Sequence, residues 1–149
     1  MTEEQPFIGP KAQTLIDKYG WHQGLAKAME DSNGYCRYCN KNLLVNRIAY
    51  FSITLDHLLP KSKYPEIEAN LENHVLSCNA CNFIKKDFDP LDAGENPLHM
   101  LRDCHEVLIR RVKILIKTKS EERNNELDGN TQIDGIVNLL IIKSLRTMI

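Results

Sequence analysis

The chain has no excess of charge in either sign: 19 lysines and arginines stand against 20 aspartates and glutamates, a formal net charge of -1. No global basicity announces a nucleic-acid partner, although a local patch is enough for phosphate contacts. No apolar run approaches the ~20 residues that a membrane-spanning helix needs, so no membrane partner is expected. The opening MTEEQPFIGPK is acidic and lacks the apolar stretch of a secretory signal. Internal repeats, low-complexity tracts and helix-turn-helix patterns are missing as well. These absences point to a cytoplasmic protein in a reducing compartment. There, five cysteines read as metal ligands with one spare thiol, not as a disulfide framework.

At 149 residues, 42% hydrophobic and 26% charged, the composition is that of a folded chain, expected as a single domain over 1–149. Residues 10–31 carry Leu15, Tyr19, Leu25 and Met29 near helical spacing, interrupted by Gly20 and Gly24, which fits one broken helix or two short ones. From Tyr50 to Leu55 polar and apolar residues alternate as in a strand, and HVLSC (74–78) is a second short strand candidate. NACNFIKK (79–86) suits a short helix. Past Pro97, Leu101, Cys104, Leu108, Val112 and Leu115 predict one helix, and Ile133, Val137, Leu140, Ser144 and Met148 another, with a solvated connector KSEERNNELDGN between them. The order is helices, a β-rich core with a short helix, then helices: an α+β domain with helical flanks at 10–31 and 97–149.

Cys36-x-x-Cys39 and Cys78-x-x-Cys81 form two knuckles. Each presents two thiolates from a tight turn, and two such turns complete a tetrahedral site with Zn–S near ~2.3 Å. Soft donors favour Zn2+ over magnesium or calcium, with an iron–sulfur cluster less favoured. No ligand position is left open, so the zinc is expected to be structural. The 38 residues between Cys39 and Cys78 exceed a zinc-ribbon gap, so something is built into the insertion. The fifth cysteine, Cys104, lies on the apolar face of a predicted helix and reads as core, with a regulatory thiol as the weaker alternative.

Read together, CRYC, LDHLLPKSKYP and NHVLSCNACNFIKK resemble the HNH nucleases, the treble-clef branch of the ββα-metal endonucleases, over residues of about 35–88. The resemblance implies a ββα-metal core and a metal-dependent endonuclease that hydrolyses phosphodiester bonds in DNA. It implies that Asp56 and Asn82 hold one Mg2+ or Mn2+ ion, which stabilises the leaving 3′ oxygen and leaves 3′-hydroxyl and 5′-phosphate ends. His57 is the general base, a role suited to a side chain that titrates near neutrality. Asn73 matches the family's middle Asn, an organiser of the loop that carries the base. His74 replaces the apolar residue usual at that place; a surface role is favoured over a metal or phosphate contact. His99 and His105 have no assigned role.

Local charge is more telling than the total. Arg37, Lys41, Arg47, Lys61 and Lys63 face a single acid, Asp56, between Tyr35 and Tyr64. Lys61, Lys63, Lys85 and Lys86 flank the site and are the expected phosphate contacts, which position a nucleic acid without reading its sequence. RRVKILIKTK (110–119) reads as the solvated side of a packed helix more readily than as a DNA-facing ridge. The expected substrate is double-stranded DNA. Small free-standing chains of this type often belong to prokaryotic restriction or antiviral defence, which is the setting expected by resemblance; a nuclease subunit gated by an ATPase or sensor partner is a separate reading. The apolar C-terminal helices fit a two-fold homodimer interface or a packed core equally, and the sequence does not decide between them; a non-catalytic zinc-held module that binds nucleic acid or protein is the alternative reading.

Overall fold

A computed structural model describes residues 7–128. Residues 1–116 form one compact unit and residues from 117 onward a second, of which the described part is the end of one long helix. The expected final helix at 133–148 lies outside the described residues.

Two N-terminal helices, α1 (Pro10–Tyr19) and α2 (Gln23–Ser32), replace the one-or-two helix expectation with two. The break is local: Gly20 takes φ 69, where a side chain would be strained, and its N–H closes on the carbonyls of Leu15 and Ile16. His22 then starts α2, its Nδ1 accepting the Gly24 N–H at 3.1 Å. The Glu30 carboxylate on α2 accepts the first N–H groups of α1, Lys11 at 3.1 Å and Ala12 at 2.9 Å. That bond pattern satisfies donors that a helix start leaves unpaired.

The chain next runs through the first cysteine knuckle into α3 (Arg47–Phe51), and then β1 (Ile53–His57). This corrects the strand expected over 50–55. Asn46 caps a helical turn by accepting the Ala49 N–H at 2.8 Å, so Tyr50 and Phe51 are helical and the strand begins three residues later than expected. The exposure agrees: of α3 only Ala49 is buried, whereas alternating strand residues would bury every second one.

β1 pairs antiparallel with β2 (His74–Cys78), in a register that sets Ile53 opposite Cys78, Asp56 opposite Val75 and His57 opposite His74. Period-two geometry then puts His57, Leu55, His74 and Leu76 on one face and Asp56 and Val75 on the other. α4 (Asn79–Lys85) follows β2 without a loop, so the core has the expected ββα order. α2 packs on β2, and Leu58, Leu59, Val75 and Leu76 join Leu101, Leu108 and Val112 in one apolar cluster.

The single helix expected from Leu101 is two: α5 (Pro97–Asp103) and α6 (His105–Asp128). Cys104 sits at the break with φ -126 and ψ 30, outside helical geometry, and packs against the core. Leu101, Leu108 and Val112 are nevertheless all buried, so the apolar stripe was placed correctly. Helix α6 also continues to Asp128 through most of the stretch expected as a connector.

Candidate functional site

The four paired cysteines converge. Their sulfur atoms all lie within 4.8 Å of one another, with Cys39 and Cys78 Sγ 3.8 Å apart. Four sulfurs at ~2.3 Å around one centre stand ~3.8 Å apart in a tetrahedron, so the donor set fits a metal of zinc's size and softness. Three of the four are buried and Cys39 is exposed. The fold brings the knuckles together through the strands: Arg37 N–H donates to Leu76 O at 2.9 Å, and Cys78 ends β2 and begins α4. Without metal the thiols compete for protons. A thiol hydrogen bond from Cys81 pulls Cys36 down to about 4, the same bond pushes Cys81 up, and burial raises Cys39 to about 11.

The other centre lies at the end of β1. Asp56 is buried, and its Oδ2 accepts from the Tyr38 hydroxyl at 2.5 Å and from the Lys85 ammonium at 3.2 Å. Burial raises its pKa; Lys85 and Tyr38 pull the other way. Tyr38 itself is pushed well up by burial and by the neighbouring carboxylate. His74 Nδ1 is the one buried side-chain nitrogen or oxygen without a partner among the described residues. Both of the Asp56 contacts fall on Oδ2, so the carboxylate is held by that oxygen.

Lys85 joins this strand end to the helix. Its ammonium also donates to the His57 carbonyl at 2.9 Å, and it is only 1% exposed. This corrects its expected role: a lysine committed to Asp56 and His57 in the interior does not reach a phosphate. It instead fixes α4 against the strand that bears the Asp-His pair, one helical turn after Asn82, which is half-buried on the same helix. Nothing in a CNFIKK string tells the buried lysine from its exposed neighbour Lys86.

Asn73 is fully buried at the mouth of the sheet. Its Oδ1 accepts the Leu59 N–H at 2.7 Å, its Nδ2 donates to Leu59 O at 3.0 Å, and its backbone carbonyl accepts the Leu58 N–H at 2.9 Å. The amide side chain thus adds a rung where the strand ladder ends, and the loop after His57 is tied to the start of β2. His57 is half-buried, and its ring meets the His74 ring edge to face, 5.1 Å between centroids at 84°. His74 is not the surface residue expected. Its Nε2 donates to Glu68 O at 2.8 Å, its Nδ1 is buried, and burial lowers its pKa.

Of the remaining basic residues, Lys61, Lys63 and Lys86 are all exposed, and Lys63 lies 3.8 Å from Asp89. Arg111 is held by Glu95, Asp92 and the Pro90 carbonyl, so this member of the basic stretch secures a loop. His105 donates from Nε2 to Glu72 O at 3.0 Å, and His99 pairs with Asp103.

The family model HNH endonuclease matches residues 36–88. By family, this segment is an HNH domain. No curated protein and no solved structure matches the chain. The HNH segment contains both cysteine knuckles, the Asp56–His57 strand end, Asn73 and the Asn82-bearing helix, and it implies nucleic-acid binding with nuclease chemistry. No described helix is long and apolar enough to cross a membrane.

Proposed function

We propose that the chain is a metal-dependent endonuclease that hydrolyses DNA phosphodiester bonds, with a structural zinc on Cys36, Cys39, Cys78 and Cys81. The observation that carries this reading is Lys85. By bonding both Asp56 Oδ2 and the His57 carbonyl, it locks the Asn82-bearing helix to the strand end that holds the base and the acid. A shared divalent ion needs that kind of fixed convergence.

His57 takes a proton from the water that attacks phosphorus, and its imidazole is held in orientation by the His74 ring and by the strand. Asp56 Oδ1 and the Asn82 side chain are hard oxygen donors, suited to Mg2+ or Mn2+. When bound, such an ion supplies charge stabilisation at the leaving 3′ oxygen. Tyr38 and Lys85 keep the other Asp56 oxygen occupied, so the carboxylate cannot rotate away. Asn73 holds the loop behind the base. Lys61 and Lys86 are free to contact phosphates. One such constellation cuts one strand, so a monomer nicks and a double-strand break needs two copies or two events. Placement in prokaryotic restriction or antiviral defence, with a gating ATPase or sensor partner, belongs to this reading by resemblance alone.

A second reading has one observation in its favour. The Asp56 charge is already met by Lys85, as in a zinc-held binding module with a resting site. Supercoiled-plasmid cleavage separates the two. Nicking that requires magnesium or manganese, and that His57→Ala abolishes with zinc content and fold intact, is the expected result. No cleavage with any divalent ion would leave the binding module.

A further inference from the structure

Helix α4 turns one face to solvent. Asn79, Asn82 and Phe83 follow along it at helical spacing, with Lys86 capping its end, while Cys81 and Lys85 point into the core. Phe83 is 68% exposed, directly after the proposed metal ligand Asn82, and the Lys86 ammonium lies 5.6 Å from its ring centroid. The end of α3 abuts this helix, since Asn79 N–H donates to Ser52 O at 2.8 Å, and Phe51 beside it is 77% exposed. Single exposed apolar residues are ordinary, but Ile48 on α3 is 84% exposed as well, and apolar side chains exposed together mark surfaces that bind something.

The charge around them says what. The two segments that carry these rings, 35–55 and 74–86, contain no aspartate or glutamate, while Arg47 and Lys86 are exposed. Asp87, exposed next to Lys86, is the nearest carboxylate in sequence. Exposed aromatic rings interleaved with cations are the chemistry of single-stranded nucleic-acid surfaces, where bases stack on rings and cations follow the backbone.

Adjacency to Asn82 makes the placement specific. Asn82 and Phe83 are successive on α4, their side chains about 100° apart around its axis, so the ring borders the place where Asn82 would meet a phosphate. A base inside an intact duplex is stacked on both faces and has none to offer a side chain. We infer that Phe83 is a stacking platform for an unpaired base beside the scissile phosphate, so that the substrate is DNA with unstacked nucleotides, such as a single strand, flap or gap. The inference rests on the nuclease reading for the word scissile and on the surface itself for the stacking.

The test is binding, measured without cleavage. Fluorescence anisotropy of the zinc-loaded full chain in magnesium-free buffer compares a labelled oligothymidine with a labelled duplex, for the wild type, Phe83→Leu and Phe83→Trp. Leucine keeps the size and apolarity and removes the ring. The expected result is a 5- to 150-fold weaker hold on the single strand, roughly the ~1–3 kcal/mol of one base–aromatic stack, with duplex affinity changed less than about twofold. Phe83→Trp should match or exceed the wild type. Equal losses on both ligands, or no loss on either, overturn the inference. So does sedimentation showing a dimer that Phe83→Leu converts to monomer, since the ring would then be covered by a second copy. Cleavage of the single strand and of plasmid with magnesium or manganese reports on the nuclease reading separately: absence of both, with single-strand selectivity intact, sinks that reading and leaves the platform standing.

Discussion

Replacing Asn73 with alanine removes the rung that continues the sheet past His57. The side chain is 0% exposed and makes both of its bonds to one residue, Leu59, which is itself 0% exposed. Alanine therefore strands one buried N–H and one buried C=O. Each costs about 1–3 kcal/mol when unsatisfied, and water admitted to the vacated space recovers part of that, so a loss of about 3 kcal/mol is expected. Against a total of roughly 5–15 kcal/mol for a small domain, the variant still folds. The Leu58 N–H to Asn73 O bond survives because it is backbone on both sides.

The assay is urea unfolding of zinc-saturated protein followed by far-ultraviolet circular dichroism. With a slope of about 1–3 kcal/mol per molar urea, the midpoint should fall by about 1–3 M at unchanged slope. Asn73→Asp sharpens the test. Its carboxylate still accepts from Leu59 N–H but faces the Leu59 carbonyl with a second acceptor. Protonation turns that oxygen into a donor, so the folded-state pKa is raised, and the variant should regain stability as pH falls. An alanine midpoint shift below about 0.3 M, or an aspartate variant indifferent to pH, would refute the claim that these two bonds hold the loop.

Three further outcomes follow from other contacts. Lys85→Met leaves the Asp56 carboxylate buried with Tyr38 alone and should cost about 3–5 kcal/mol near neutral pH, most of it restored in the Lys85→Met/Asp56→Asn double variant; thermal melts of the four proteins form the cycle, and additive losses would contradict the pairing. Cys36→Ser or a zinc chelator should abolish binding of one zinc per chain, read colorimetrically after thiol release, and should unfold the HNH core; a chain that keeps its circular dichroism without metal would show that the site is not structural. His105 is held neutral by burial, with Arg37 adding to the depression of its pKa, so its contribution is present above the unfolded value of ~6.5 and is lost as pH falls below it. His105→Gln should therefore flatten the decline in melting temperature between pH 7 and pH 5, and a decline as steep as the wild type's would place its cause elsewhere.

The strongest signals in the sequence were those with fixed local spacing. Two Cys-x-x-Cys pairs, the Asp56–His57 doublet, Asn73 and the Cys-x-x-Cys-Asn helix are each set by short-range geometry, and the ββα order followed from them. The helical stripe over 10–31 was legible too, but whether it made one helix or two was decided by the left-handed turn at Gly20, while Gly24 lies inside α2. Where periodicity was ambiguous, a single capping side chain decided. Asn46 turned the start of an expected strand into α3, and the apolar stripe from Leu101 to Val112 gave no sign that the backbone would break at Cys104.

Only the tertiary structure decided which lysine is buried and what holds the acid. Lys85 and Lys86 are neighbours of identical chemistry, yet one is 1% exposed against Asp56 and the other ends α4 in water. Tyr38, an anonymous residue inside the first knuckle, completes the grip on Asp56 from 18 positions away. Burying a cation is stable only where a carboxylate and a carbonyl meet it at once, and that meeting depends on how β1, α4 and the knuckle pack together. Residue spacing along the chain carries the ligands of a metal site; the partners that aim those ligands come from strands and helices far apart in sequence, and packing alone brings them together.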